Sequence, residues 1–149
     1  MSITSLFKLW PLGRPQANPF DTVLYVQVSR TLSTEDIIAA IKWVVYSGFK
    51  HRQLAIVFFN NEILTGFCPE RRRVGTAFRK VNDLWYSEQA SKPIDFSCVT
   101  QHIQQRKPRV AIVITSQGND CRNALRNDNQ CEFGTSLPHA NVVKFEIQT

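Results

Sequence analysis

Apolar residues along this chain come in blocks whose spacing alternates between two periods. Thr22–Val28 (TVLYVQV), Leu54–Phe59 (LAIVFF) and Val110–Thr115 (VAIVIT) are short, nearly continuous apolar runs rich in β-branched and aromatic residues, the pattern of strands buried on both faces. Between the first two runs, Ile37, Ile38, Ile41, Val44 and Val45 recur at helical spacing. Ser33 or Thr34 can cap that helix, Glu35 and Asp36 suit its first turn, and Gly48 can end it. After Leu54–Phe59, Asn60-Asn61-Glu62 offers a turn into a short strand at Ile63–Phe67. Val74, Ala77, Phe78, Val81, Leu84 and Trp85 then mark a helix of about four turns. Asp95 can cap a shorter helix carrying Phe96, Val99 and Ile103, which Pro108 stops. Residues 117–139 are polar and predict a loop with one helical turn around Arg122–Arg126, before a closing strand at Val142–Ile147.

This order predicts an α/β fold, a three-layer sandwich with helices on both faces of a mostly parallel central sheet. The hairpin after Phe59 supplies one antiparallel edge strand. The expected domain spans residues 21–149. Residues 1–20 form an irregular arm, because Pro11, Pro15 and Pro19 interrupt regular structure. Phe7, Leu9, Trp10 and Leu12 nevertheless make the arm locally apolar. Two readings of it stand side by side: a cover for an open flank of its own domain, or a docking segment in which Trp10 meets a partner.

Composition narrows the class. A chain of 149 residues, 43% apolar and 20% charged, suffices for one core and argues against long disorder. The cysteines at 68, 98, 121 and 131 form no CxxC pair and have no histidine at zinc-ligand spacing. Lys8 interrupts the apolar residues before Pro11, unlike a secretory signal, and no run reaches the ~18 apolar residues of a membrane span. Free thiols and a cytoplasmic location are the expectation.

In open α/β sheets ligands bind beyond the carboxyl ends of the strands, so the residues just past each run decide the chemistry. Here they are Gln27, Ser29, Arg30 and Thr31, then Asn60, Asn61 and Glu62, then Ser116, Gln117, Gly118, Asn119 and Asp120. Amides and hydroxyls dominate, and only Glu62 and Asp120 could serve a small metal-dependent hydrolase, which needs several converging carboxylates. No phosphate-cradling glycine loop and no GxSxG elbow occurs. Cys98 reads as an inert core thiol, and His51, His102 and His139 as lone surface histidines.

TVLYVQVSRT leading into a helix, RQLAIVFFNNEI as strand and hairpin, and RKPRVAIVITSQ followed by NVVKFEIQ together resemble a von Willebrand factor A-like domain, most closely its bacterial DUF58-type branch. The resemblance covers roughly residues 21–148. It implies a Rossmann-like sheet that joins protein assemblies and, in many members, holds a divalent cation through an Asp-x-Ser-x-Ser motif, a Thr and an Asp. The matching positions here are Gln27, Ser29 and Thr31, then Ile94, then Ser116, so both carboxylates are replaced. Magnesium sites rely on at least one carboxylate, and the resemblance therefore implies a protein-binding, non-enzymatic scaffold module with no metal and no cofactor. It also implies that the sequence ends before the last strand and helix of a full domain, leaving an open sheet edge.

The net charge of +6 adds an alternative. Arg71, Arg72 and Arg73, continued by Arg79 and Lys80, form one basic run, and Arg106, Lys107 and Arg109 another; Arg122 and Arg126 add to a third. If the first two share a face they suit an accessory subunit that grips nucleic-acid phosphates. The same residues and Trp10 equally suit an acidic protein partner.

Overall fold

The structure, a computed structural model, describes residues 22–48, 54–67, 74–125, 130–137 and 140–147. The arm, Arg71–Arg73, His51, Cys68, Arg126 and His139 lie outside these residues. The elements are β1 (Thr22–Gln27), α1 (Thr34–Trp43) continued by a π-helical turn (Val44–Gly48), β2 (Leu54–Phe59), β3 (Ile63–Phe67), α2 (Gly75–Trp85), a 3-10 turn (Glu88–Ser91), α3 (Ser97–Arg106), β4 (Val110–Thr115), α4 (Gly118–Leu125), β5 (Gln130–Leu137) and β6 (Ala140–Glu146).

The six strands form one sheet in the order β3-β2-β1-β4-β6-β5. β1 lies at its centre and pairs in parallel with both β2 and β4, Thr22 opposite Leu54 on one side and Val110 on the other. β3 pairs antiparallel with β2, the expected hairpin. On the other flank β6 runs antiparallel to β4 and β5 antiparallel to β6.

Alternation along the strands divides the core in two. Leu24, Val26, Ile56, Phe58, Ile112, Ile114 and Val142 face α1 and α2, which bring Ile37, Ala40, Ile41, Ala77 and Val81. Val23, Tyr25, Val57, Phe59, Val113, Val143 and Phe145 face α3 and α4, which bring Val99, Ile103, Cys121 and Leu125. The fold is thus a three-layer α/β sandwich. The strands of the parallel part read as unbroken apolar runs because both of their faces are covered.

Local signals operate as their chemistry requires. Ser33 caps α1, its side chain accepting from Asp36 N at 3.1 Å. Asp95 accepts from Ser97 N at 2.9 Å at the entry to α3, and these hydrogen bonds hold its carboxyl below the usual range. Lys107 ends α3 in the left-handed region (φ 49°), immediately before Pro108. No helix among the described residues is long and apolar enough to cross a membrane.

Two segments differ from the sequence expectation. Residues 117–139 contain α4 and β5 rather than a loop. α4 buries only Gly118, Cys121 and Leu125, a stripe too narrow to stand out among Asn119, Asp120, Arg122 and Asn123. The pairing of β5 shifts register between Phe133 and Thr135, a bulge that breaks the two-residue alternation a strand would otherwise display. Consequently β5, and not β6, ends the sheet on this flank.

Leu24 and Ile112 are register partners and are 0% and 1% exposed. Leu24→Ala and Ile112→Ala should each lower stability by about 2–5 kcal/mol, with a non-additive double variant because the side chains are neighbours. Urea titration measures this; losses below about 1 kcal/mol for both would show that the face under α1 is not a sealed core.

Candidate functional site

The carboxyl ends of β1 and β4 bring four of the five motif positions together. Gln27, the last residue of β1, is fully buried, and its carboxamide spans the gap to β4. Its Oε1 accepts from the Thr115 hydroxyl and from Ser116 N at 3.1 Å. A backbone N–H can only donate, which fixes the amide orientation and points Nε2 the other way. Nε2 donates towards three hydroxyls: Ser29 Oγ at 2.9 Å, Ser116 Oγ at 2.9 Å and Thr31 Oγ1 at 3.2 Å. The hydroxyls are joined to one another, Ser29 to Thr31 at 2.6 Å and Thr31 to Ser116 at 3.0 Å. An amide nitrogen therefore sits at the centre of three oxygens.

The cluster is neutral. The three hydroxyls surround an N–H donor at nitrogen–oxygen distances of 2.9–3.2 Å, whereas Mg²⁺ requires about 2.1 Å and carboxylate charge. A cation could take this place only by displacing Gln27. The fifth position, Ile94, does not join the cluster; it is half-buried against the apolar layer under α3. Among the described residues no group of three or more His, Cys, Asp or Glu side chains is placed to hold a metal ion. Glu62 and Asp120 are both exposed and follow β2 and β4 respectively. Those strands are separated by β1, so their axes stand about 10 Å apart.

Around the cluster, backbone contacts stiffen the rim. Buried Asn60 donates from Nδ2 to Val28 O at 2.7 Å, and its own carbonyl accepts from Asp95 N at 3.1 Å. Arg30 donates to the carbonyls of Trp85 (3.0 Å) and Ser87 (3.1 Å), its guanidinium 5.2 Å from the Trp85 ring centroid. Trp85 Nε1 in turn donates to Leu32 O at 2.7 Å, so the loops after β1 and α2 are stapled together. Beside them an open cleft of about 500 Å³ is lined by Ser116, Gln117, Gly118, Asn119, Asp120 and Asn141. Gly118 permits this closeness: a Cβ there would meet the Asn141 side chain at 3.0 Å.

A second polar group lies further back along β1, on the face that α3 covers. Cys98, His102 and Arg106 follow one another at intervals of four along α3 and so share a face. Tyr25, fully buried, hydrogen-bonds His102 Nδ1 at 2.7 Å. His102 is therefore not the lone surface histidine that the sequence suggested; the four-residue spacing from Cys98 was the signal that could have exposed it. Burial, then the Arg106 guanidinium, pulls the His102 pKa down to about 4, while burial raises that of Tyr25. Burial and then Asp95 push the Cys98 thiol up to about 11. Its Sγ–H donates to Asp95 O at 3.2 Å. Neutral His102 engaged with Tyr25 and a protonated Cys98 do not form an activated thiolate pair.

The described basic residues do not form one face. Arg79 and Lys80 lie on α2, on one side of the sheet. Arg106 and Lys107 end α3 on the other side, with Arg109 just beyond. Arg106 is half-buried against Tyr25 and His102, so it is only partly available to a ligand.

Comparison with protein-family models, curated proteins and solved structures found no match to this chain.

Gln27→Leu should cost about 3 kcal/mol, since it strips partners from the Thr115 hydroxyl, the Ser116 N–H and three further hydroxyls at once. Thr31→Val, at an exposed hydroxyl, should cost less than about 1 kcal/mol. Equal losses in denaturant titrations would show that Gln27 does not organise the rim. A pH prediction follows from His102, whose pKa falls from 6.5 to about 4 on folding. The unfolded chain then binds more protons, so this contribution is present above pH 6.5 and is lost as pH falls towards 4. It amounts to roughly 3 kcal/mol. His102→Gln should flatten stability between pH 6.5 and 4 relative to wild type; parallel curves would contradict the assignment.

Proposed function

We propose that this chain is a non-enzymatic binding module, von Willebrand factor A-like in architecture, which meets protein partners through the carboxyl rim of its sheet and uses an amide where such domains use a cation. The observation that carries this reading is the Gln27 carboxamide, held by Thr115 and Ser116 on one side and by three hydroxyls on the other. Gln27 orders the oxygens of Ser29, Thr31 and Ser116 without an ion. It leaves Thr31 and Asn119 exposed and Ser116 and Gln117 half-exposed next to the open cleft.

The Gln27 cluster offers this rim directed donors and acceptors without charge of its own, which fits the backbone and polar side chains of a polypeptide. A nucleic-acid reading requires clustered cations on one face, and the described arginines and lysines divide between the two helical layers. A hydrolase reading requires converging carboxylates or an activated nucleophile, and Glu62, Asp120 and Cys98 are not arranged in that way.

Two measurements test the proposal. Calorimetry with Mg²⁺ and Mn²⁺ should give no micromolar binding; micromolar affinity abolished by Ser29→Ala would refute the amide-for-cation reading. Affinity purification of the tagged chain from its native cell should retain a protein partner, with capture reduced at least tenfold by the pair Gln117→Ala and Asn119→Arg. Undiminished capture by that pair would rule out the rim as the docking surface.

A further inference from the structure

Ionisable side chains are sorted along this fold. At the carboxyl rim of the sheet Glu35 and Asp36 open α1, while Asp95 and Asp120 stand at the entries to α3 and α4. Glu62 lies in the hairpin after β2, and Asp83 and Glu88 flank the end of α2. Of the described bases only Arg30 and Lys92 share this end. Seven carboxylates against two cations give the described rim a net −5, so a chain of net charge +6 carries +11 elsewhere.

Helix dipoles account for part of this sorting, since first-turn carboxylates offset the positive end of a helix. Asp83 breaks that rule, because it lies in the last turn of α2, where the dipole disfavours an anion. Asp83 and Glu88 are exposed, and among the described residues neither is ion-paired. Between them Tyr86 is 72% exposed, its ring set edge-on to Trp85 at 4.9 Å between centroids. An aromatic face between two carboxylates is a seat for a cationic side chain.

The same molecule carries matching cations at the far end of the sheet. There α3 stops and β4 begins, joined by Lys107, Pro108 and Arg109. Lys107 and Arg109 are exposed and, among the described residues, without an ion pair. The corner that bears them is fixed: Lys107 takes the left-handed conformation, Pro108 is buried, and Arg109 O accepts from Ile147 N at 3.0 Å.

Each end complements the other and repels its own kind, which favours a heterologous contact over a two-fold one. The whole-chain charge does not forbid it. A six-residue strand is ~20 Å long, about two Debye lengths at 0.1 M salt, so facing ends decide the encounter.

We infer that copies of this chain associate head to tail, Lys107 and Arg109 of one copy docking on Asp83, Tyr86 and Glu88 of the next. The occupant of this edge of the rim is a second copy. The contact rests on charges outside the Gln27 cluster and is independent of what that cluster binds.

Sedimentation velocity of the purified full chain tests this without any other protein. The expected result is a mass that rises with concentration past that of a dimer and returns to the monomer at about 1 M salt. The charge reversals Lys107→Glu with Arg109→Glu, and Asp83→Lys with Glu88→Lys, should each give a monomer. An equimolar mixture of the two variants should associate again, which misfolded variants could not do. A wild-type chain that stays monomeric overturns the inference. So does association that either reversal leaves unchanged, or a mixture that fails to restore it.

Discussion

Burying a carboxamide costs free energy wherever its oxygen or nitrogen goes unpaired, and Gln27 shows what that constraint builds. β1 is the central strand of the parallel part, and its last side chain lies where no water can satisfy an amide. Each end of the group must find protein partners. The oxygen takes the Thr115 hydroxyl and the Ser116 N–H, which binds the end of β4 to the end of β1. The nitrogen takes Ser29, Thr31 and Ser116, which curls the loop after β1 back over its own strand. The shape of the rim is thus a consequence of satisfying one amide, and the adjoining start of α4 inherits its position from Ser116.

The same accounting distinguishes the two faces of β1. Leu24, Val26 and Val28, on the side of α1 and α2, are apolar, whereas Tyr25 on the opposite face carries a hydroxyl into the core. α3 answers it with His102, and the environment that accepts this pair keeps the histidine neutral. Arg106, one turn further along α3, adds to that preference, since an imidazolium beside a guanidinium would be a repulsive pair. The polar groups of this layer therefore fix how α3 seats on the sheet. Tyr25 and His102 are matched to one another.

Much of the architecture was legible because burial on both faces leaves a strong trace. TVLYVQV, LAIVFF and VAIVIT admit few alternatives, and Ser33, Asp95 and Pro108 mark helix ends by chemistry that acts locally. The gathering of Gln27, Ser29, Thr31 and Ser116 was also legible, because strand ends in a parallel sheet are brought to one edge. α4 and β5 were not. One is held by three buried residues amid polar ones, and the other is interrupted by a bulge, so tertiary pairing with β6 determines what local pattern does not. The role of Ile94 was lost for a related reason: an apolar residue in a loop carries no signal of which core it will join. His102 was missed although its signal was present, in a spacing of four from Cys98 and in the inward parity of Tyr25.

What the neutral Gln27 cluster can recognise follows from its construction. A bound divalent cation attracts an anionic ligand over distance and holds it by charge; an amide ringed by hydroxyls has only short-range, directional interactions. On the proposed reading, selectivity at the rim would come from matching donors to acceptors in a fixed geometry, and the rigidity conferred by Gln27, Asn60 and the Arg30–Trp85 staple is what makes such matching specific. The net positive charge would then act separately, speeding encounter with acidic surfaces through residues spread over both layers while contributing little to the fit at the rim itself.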